Sequence, residues 1–257
     1  MAQNRRLSKL TRGQGGYEAL PFGLAARGAL GRAVGVDASR AHAEPHAGRW
    51  GACLLKRGLD ALGAILCLFM SAPAWPVIAL LIKLESPGPV FIRHYRGGYR
   101  ERPFRLYKFR SMRETSDPVE DEKFSTRKER GVPRTTRFGA ILRRTSLDEL
   151  PQLLNVLCGD MSLIGPRPLV FGDLEDPRSI ARAADEIAAD TLTHWRRTRC
   201  QVRPGMTGLW QIKGRSALPL EGWLRYDVEY VQRCSPGFDL EVLFRTVRVV
   251  IRGIGAF

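Results

Sequence analysis

Two adjacent acids, Asp148 and Glu149, are the residues whose types and spacing most directly suggest chemistry. They lie in the segment RRTSLDELPQLLN, with Arg143 and Arg144 immediately upstream. Neighbouring carboxylates can bind a divalent cation and can offer one oxygen as a nucleophile. The arginines can hold a phosphate group close to the acids. The segment therefore suggests a reaction at phosphorus, with Asp148 and Glu149 as catalytic and metal-binding residues.

The same segment also has a purely structural interpretation. Ser146 and Glu149 have the spacing of a capping box, which predicts a helix that begins at Ser146. Acids in the first turn of such a helix are favoured by its dipole and need no catalytic role. Pro151 interrupts this helix, because proline lacks the backbone donor that a continuing turn requires. On local spacing alone, both interpretations stay open.

A possible half-buried strand carries further basic side chains. In YKFRSM, Lys108 and Arg110 alternate with Tyr107 and Phe109, which is typical of a strand with one apolar face. The two basic side chains are then expected to point the same way, where they could bind a phosphate. A solvated strand face would give the same pattern.

Two proline-rich turns also contain an arginine. Arg167 lies between two prolines in residues 165–168, which fix the backbone and pre-organise the guanidinium for bidentate phosphate binding. Arg203 precedes a Pro-Gly pair that predicts a type II turn. Either turn could instead be only structural. Trp210, a little further on, could stack on a base or sugar or could belong to the core.

A long apolar stretch precedes all of these candidates. Residues 61–82 contain no charged side chain over 22 positions, which is enough to cross the hydrocarbon core of a bilayer. Pro73 and Pro76 lie in its middle and break a regular helix. Because Lys56 precedes the stretch and Lys83 follows it, the positive-inside rule favours both ends on the cytoplasmic face. We expect a re-entrant membrane helix, with a kinked span or a buried core helix as the alternatives.

The composition limits the kinds of partner. Lys and Arg outnumber Asp and Glu by 41 to 26 over 257 residues, a net charge of +15. This surplus favours a nucleic acid, a phospholipid surface or a phosphorylated substrate. The five cysteines form no CxxC pair, so neither a disulfide framework nor a zinc site is indicated.

The remaining pattern predicts an α+β fold in three parts. Residues 1–50 are predicted to be a flexible basic leader, 51–85 the re-entrant membrane helix, and 86–257 a small α/β catalytic globule. Helices are predicted over 137–157, with an interruption, and over 176–199, whereas 114–134 are predicted to be a surface loop or a frayed helix. A last helix over 239–254 has apolar residues on one face and arginines on the other. It suits either the membrane interface or the protein core.

Six blocks in order resemble the bacterial sugar transferases, the monotopic polyprenol-phosphate phosphoglycosyltransferases. They are Lys56-Arg57-x-x-Asp60, SPGPVF, YKFRSM, RRTSLDELPQLLNVLCGDMSLIGPRP, VRPGMTGLWQIKGRS and the terminal helix. The resemblance covers about residues 56–257. Three positions depart from the usual family pattern. Ala72 stands where a serine often precedes the helix-breaking proline, and His94 and Glu101 stand where a glutamine and a second glycine are usual.

This resemblance implies a specific activity. Asp148 would attack the sugar-linked phosphorus of a UDP-sugar while Mg²⁺, held by Asp148 and Glu149, clamps the diphosphate and UMP leaves. Undecaprenyl phosphate would then take the sugar phosphate from the aspartyl intermediate. The implied location is the bacterial inner membrane, with the catalytic domain on the cytoplasmic face and amphipathic helices in contact with membrane lipids.

The charge of the reacting groups indicates which basic residues take part. A carboxylate, a diphosphate and a lipid phosphate repel one another, so cations are needed to bring them together. Lys108, Arg143, Arg167 and Arg203 are the candidates for binding phosphate and substrate. The GLWQ form of the late motif resembles members that act on glucose or galactose, for exopolysaccharide or a related glycan.

Other functions remain as alternatives at this stage. The donor could carry an N-acetylhexosamine, or the chain could be a non-catalytic membrane scaffold. A membrane-anchored nucleic-acid-binding protein would explain the positive charge, but it would not explain ordered motifs around an acidic pair. We therefore expect no nucleic acid among the partners.

Overall fold

The computed structural model describes residues 48–113, 135–169, 189–213 and 220–251. The predicted leader up to residue 47, the predicted loop 114–134 and the first part of the predicted helix 176–199 lie outside these ranges. The described elements, in chain order, are α1 (Gly48–Ser71), α2 (Ala74–Glu85), β1 (Phe91–Gly97), β2 (Pro103–Phe109), α3 (Arg137–Thr145), α4 (Gln152–Cys158), β3 (Ser162–Ile164), α5 (Ala189–Arg199), β4 (Gly205–Thr207), α6 (Leu209–Lys213), α7 (Leu220–Arg233) and α8 (Pro236–Ile251). Short 3₁₀ turns cover Tyr99–Glu101 and Leu147–Glu149. This mixture of helices and small sheets confirms the α+β prediction.

The apolar stretch forms two helices that meet at a bend. The axes of α1 and α2 differ by 63° across the break at residues 72–73. No single described helix is long and apolar enough to cross a membrane, although this bent pair together satisfies the length and composition requirement. Pro73 is the N-cap of α2, and Pro76 lies in its first turn, where a missing backbone donor costs no intrahelical bond.

Ser71 satisfies polar groups at this bend. Its hydroxyl donates to the Leu68 carbonyl at 3.3 Å and accepts from the Trp75 indole N–H at the same distance. The Ala72 N–H bonds to the Leu68 carbonyl at 2.8 Å. Ser71 therefore compensates for the alanine at position 72, one residue away from where the family often has serine.

Both ends of the bent pair are fastened to the rest of the fold. Ala64 of α1 packs with β2 and α4, and Ile78 and Ile82 of α2 pack with Phe109 and Leu142. Away from these contacts, however, the surfaces of α1 and α2 are largely apolar and exposed. The exposed side chains include Leu54, Leu62, Leu66, Phe69, Met70, Leu80 and Leu84. A helix buried inside the chain would not expose such a surface, so the buried-core alternative is wrong for this structure.

The two sheets are small. Strands β1 and β2 form an antiparallel hairpin whose register pairs Phe91 with Phe109 and Gly97 with Pro103. Strands β3 and β4 are parallel, with Ser162 beside Gly205 and Ile164 beside Thr207. The second pair fits closely, since a Cβ added to Gly165 would lie 2.5 Å from the Arg203 carbonyl oxygen. Glycine is therefore required at residue 165 for the proline-rich segment to pass β4.

The last helix is amphipathic, as predicted, and begins at Pro236. Phe238 and Val242 face a core cluster, whereas Leu240, Phe244 and Val247 are 50% to 67% exposed. Its apolar residues thus divide between the protein core and an outward stripe. Both interpretations of this helix from the sequence are consistent with that division.

Candidate active site

The two acids lie on a short 3₁₀ turn between α3 and α4. Helix α3 ends at Thr145, and Ser146 adopts the left-handed conformation, with φ 59°. The Ser146 side chain makes no capping hydrogen bond to the following turn. The predicted capping box is therefore wrong: Ser146 ends α3 and leads only into the 3₁₀ turn, and the next α-helix follows Pro151. The predicted interruption in the helical segment 137–157 is confirmed.

Glu149 is held by two cations from distant parts of the chain. Its Oε1 atom lies 2.8 Å from the Lys108 Nζ atom and 2.6 Å from the Arg167 Nη2 atom. Its Oε2 atom lies 3.5 Å from Arg167 Nη1. Burial alone would raise the pKa of Glu149, but the charges of Arg167 and Lys108 outweigh it and hold that pKa well below its usual range. Glu149 is therefore a stronger acid than an ordinary glutamate.

Asp148 is in a different electrostatic state from its neighbour. The residue is 8% exposed, and this burial raises its pKa above that of an ordinary aspartate. The negative charge of Glu149 raises the pKa of Asp148 further, whereas Lys108, Arg167 and Arg143 lower it. Adjacent carboxyl groups in one site commonly divide in this way into one strong and one weak acid. Asp148 is thus the member of the pair whose buried charge the cations offset less fully.

Three of the four predicted basic residues surround the acids. Lys108 and Arg167 contact Glu149 directly, and the half-buried Arg143 acts on the charge of Asp148. Arg203 is elsewhere: its Nε atom donates to the Gly159 carbonyl at 2.8 Å, and its guanidinium lies over the Tyr99 ring. Assigning Arg203 to the phosphate-binding cluster is therefore not supported by its contacts. Three cations against two acids leave the immediate site with a net positive charge when both acids are ionised.

Other local predictions need correction. Arg110 lies just beyond β2, and its Nη2 atom donates to the carbonyl and the hydroxyl of Ser86, so it does not share a direction with Lys108.

Gly205 begins β4, and among the described glycines only Gly88 and Gly159 have a positive φ, so the predicted type II turn is absent. Trp210 stacks on Trp223 with ring centroids 4.8 Å apart. One face of the Trp210 indole ring is therefore occupied by Trp223.

Asn155 is a positioning residue that the sequence reasoning did not single out. Its side chain is fully buried, accepts from the Tyr107 N–H at 3.1 Å, and donates to the Arg105 carbonyl at 2.7 Å. These bonds fix α4 to β2, and so they fix the acids relative to Lys108. The sequence signal for this role was an asparagine between leucine and valine in an apolar helix. Such an amide is expected to be buried, and a buried amide needs hydrogen-bond partners.

Arg57 connects α1 to the site in a similar way. Its two terminal nitrogens donate to the carbonyls of Val156 and Leu157, at 2.5 and 2.7 Å. These carbonyls belong to the last turn of α4, which has no following turn to bond them. The cation also suits the negative end of the helix dipole. Helix α1 thereby holds the far end of the helix that follows the acids.

The acids can hold a metal ion together with a substrate. Across the described ranges, no group of three or more His, Cys, Asp or Glu side chains could form a complete protein site. Mg²⁺ commonly binds through one or two carboxylates, several waters and substrate phosphates. Asp148 and the more weakly held Oε2 atom of Glu149 fit that donor set when a diphosphate is present.

Comparison with known proteins agrees with this geometry. The family model described as "Bacterial sugar transferase" matches residues 51–253. "Exopolysaccharide production protein ExoY" of Rhizobium meliloti (strain 1021) is 38% identical over 79% of this chain and 88% of its own length. A "UDP-glucose:undecaprenyl-phosphate glucose-1-phosphate transferase" of Caulobacter vibrioides is 42% identical over 76% of this chain and 68% of its own length.

One of the relatives is named for a different donor sugar. A protein of Aeromonas hydrophila named "UDP-N-acetylgalactosamine-undecaprenyl-phosphate N-acetylgalactosaminephosphotransferase" is 37% identical over 79% of this chain and 45% of its own length. The match to the family model covers the acids and the cations around them. This chain belongs to the bacterial sugar transferase family.

Proposed function

We propose that the protein transfers a hexose 1-phosphate from UDP-glucose or UDP-galactose to undecaprenyl phosphate and so starts an exopolysaccharide or related glycan. The observation that carries this proposal is the position of Asp148 beside a carboxylate that two cations neutralise. Lys108 and Arg167 can exchange part of their contact with Glu149 for phosphate oxygens. The named relatives support a nucleotide-sugar donor and a lipid phosphate acceptor.

The first step is a displacement at the sugar-linked phosphorus. An oxygen of ionised Asp148 forms a bond to this phosphorus, the bond to the bridging oxygen breaks, and its electron pair leaves with UMP. Lys108 and Arg167 stabilise the negative charge that develops on the equatorial and leaving oxygens. Glu149 holds both cations in place before the donor arrives, so little reorganisation is needed during the step.

The second step returns the carboxylate. An oxygen of undecaprenyl phosphate attacks the same phosphorus, the bond to Asp148 breaks, and undecaprenyl diphosphate hexose is formed.

Mg²⁺, held by Asp148, Glu149 and the diphosphate, would supply further neutralisation of the phosphate charge. We expect excess EDTA to abolish UMP release and added Mg²⁺ to restore it.

The contacts of the bent helix pair support a location at the membrane surface. A kinked span would put its two ends on opposite faces of the bilayer. Here Lys56 near the start of the apolar stretch binds Asp239 at 2.5 Å, and Glu85 at its end accepts the Phe138 N–H at 3.0 Å. Both partners belong to the same catalytic part, so both ends are expected on the cytoplasmic face. The exposed apolar stripe of α8 would lie in the interface of the same membrane.

The donor sugar is tested by UMP release from a panel of UDP-sugars with purified protein and undecaprenyl phosphate. We expect release from UDP-glucose or UDP-galactose. The Aeromonas hydrophila relative makes an N-acetylhexosamine the second candidate. Release from UDP-N-acetylhexosamines alone would contradict the hexose assignment. Release from no donor would contradict the transferase function itself.

A further inference from the structure

A buried ion pair outside the acids has no role in the reaction as described. Arg199 at the end of α5 and Asp227 in α7 are 6% and 3% exposed at their side chains, with Nη1 and Oδ2 3.4 Å apart. Burial raises the pKa of Asp227 to about 6, although the charge of Arg199 opposes the shift. The desolvation of such a pair offsets most of its attraction, so stability alone explains it poorly.

Arg199 uses a second nitrogen to reach the active-site segment. Its Nη2 atom donates to the backbone carbonyl of Arg167. The guanidinium plane also lies over the Trp195 ring, with its carbon 4.7 Å from the ring centroid. Arg199 is thus fixed by a carboxylate and an aromatic face, and it holds the backbone of the residue whose side chain binds Glu149.

The neighbouring backbone is fixed by different partners. The Gly165 N–H bonds to the Thr207 carbonyl at 2.9 Å, and the Gly205 N–H bonds to the Pro166 carbonyl at 2.9 Å. Strand β4 therefore fixes the segment before Arg167. The bond from Arg199 fixes the peptide that follows the Arg167 Cα atom, so the two contacts together define the direction of the Arg167 side chain.

We propose that Arg199, anchored by Asp227, is a positioning residue that directs the Arg167 guanidinium towards Glu149 and the donor diphosphate. It acts through Arg167 and touches no reacting atom. This inference rests on the proposed function, because the readout is the release of UMP. The chemical reason for arginine is that one guanidinium offers separate nitrogens to Asp227 and to the Arg167 carbonyl.

The central variant is Arg199→Lys. Lysine keeps the positive charge beside Asp227 but has one nitrogen, which cannot bridge both partners. We expect kcat/KM for the donor to fall by roughly tenfold or more, since small errors in the placement of a catalytic group are costly. Arg199→Met is unsuitable, because it would leave Asp227 buried without its cation and could prevent folding.

Asp227→Asn separates positioning from stability. Asparagine keeps the shape but leaves the buried Arg199 without its anion, so we expect a lower Tm. Asparagine also holds Arg199 less firmly, so we expect kcat to be reduced even at temperatures well below this Tm, where the protein is fully folded. Arg233→Lys is the matched control, because Arg233 is 55% exposed at its side chain and pairs with Glu229 on the surface of α7. The control should change neither Tm nor kcat.

A double-mutant cycle with Arg167→Lys shows which residue transmits the effect. If Arg199 acts through the guanidinium of Arg167, Arg199→Lys should cost less than about twofold in kcat/KM once Arg167 is already lysine. The same fold loss in both backgrounds, or losses of activity that follow losses of Tm, would overturn the inference. A wild-type protein without UMP release would instead contradict the proposed function.

Discussion

The Lys108 Nζ atom lies 2.8 Å from the Glu149 Oε1 atom, although the two residues are 41 positions apart in the chain. This contact joins the β-hairpin to the turn that carries Asp148. It shows that Glu149 organises the cations of the site as well as being a possible metal ligand.

Lys108→Met should impair the reaction much more than Arg203→Met. Lys108 contacts Glu149 and lowers the pKa of Asp148, so its loss removes a charge that the transition state needs. We expect kcat/KM to fall by about 100-fold for Lys108→Met. Arg203 bonds to the Gly159 carbonyl instead, so its variant should lose less than about tenfold. Steady-state UMP release measures both, and equal losses would contradict the assignment of the two residues.

The pH dependence should report the ionisation of Asp148. Attack requires the carboxylate, and its raised pKa means that activity is lost, as pH falls, at a higher pH than for an ordinary aspartate. Glu149→Gln removes the negative charge that raises this pKa. The acid limb of the kcat/KM profile should therefore move to lower pH, even though the maximum rate is reduced. Glu229→Gln, far from Asp148 in the chain and paired on the surface with Arg233, serves as the control with an unmoved limb.

A strained position gives a prediction about stability. Glu101 has φ 61°, a left-handed conformation that glycine adopts without strain, and its carboxylate pairs with Arg196 at 2.6 Å. Glu101→Gly loses the ion pair but relieves the backbone, whereas Glu101→Ala loses the pair and keeps the strain. We expect the glycine variant to be more stable than the alanine variant by about 1 kcal/mol, from the cost of a left-handed residue.

Thermal unfolding of the two variants in the same detergent tests this order. The same pair of substitutions at Glu229, within helix α7, should give the reverse order, because alanine favours a helix and glycine does not. An alanine variant at residue 101 as stable as the glycine variant would show that the conformation carries no strain.

The topology of the bent helix pair can be tested by chemical labelling. In a cysteine-free background, single cysteines placed at Leu54 and Leu84 should both react with an impermeant maleimide added to inverted inner-membrane vesicles. A cysteine at Phe69, which is 77% exposed beside the bend, should be shielded by lipid. Reaction of residues 54 and 84 from opposite sides would establish a kinked span and contradict the re-entrant arrangement.

Local patterns predicted the elements better than their junctions. The apolar stretch, the first half of the strand YKFRSM and the interrupted helix 137–157 were predicted correctly because periodicity and proline act locally. The capping box failed because Ser146 takes a left-handed conformation that ends α3, and a helix could begin again at Pro151. The capping-box spacing at Ser146 and the helix-start signal of Pro151 are both local, and packing selected the second.

Contacts between distant segments explain the remaining differences at the site. Arg167 was predicted from its two prolines, but its partner Glu149 could not be, since their contact depends on how β3 and α4 pack. Arg203 has an equally suggestive sequence neighbourhood and yet bonds to the end of α4. Arg199 acts through a backbone carbonyl, which no residue pattern identifies, and the apolar neighbours of Asn155 indicate a buried amide but not its partners.

The account depends on a covalent bond between Asp148 and the phosphorylated sugar. The direct measurement is to incubate the protein with UDP-hexose labelled in the sugar, without undecaprenyl phosphate, and to map the label by mass spectrometry after rapid quenching. We predict release of UMP with label on the peptide that contains Asp148, and loss of both in Asp148→Asn. A fully active protein that never carries label on Asp148, or an Asp148→Asn variant that retains turnover, would contradict the account.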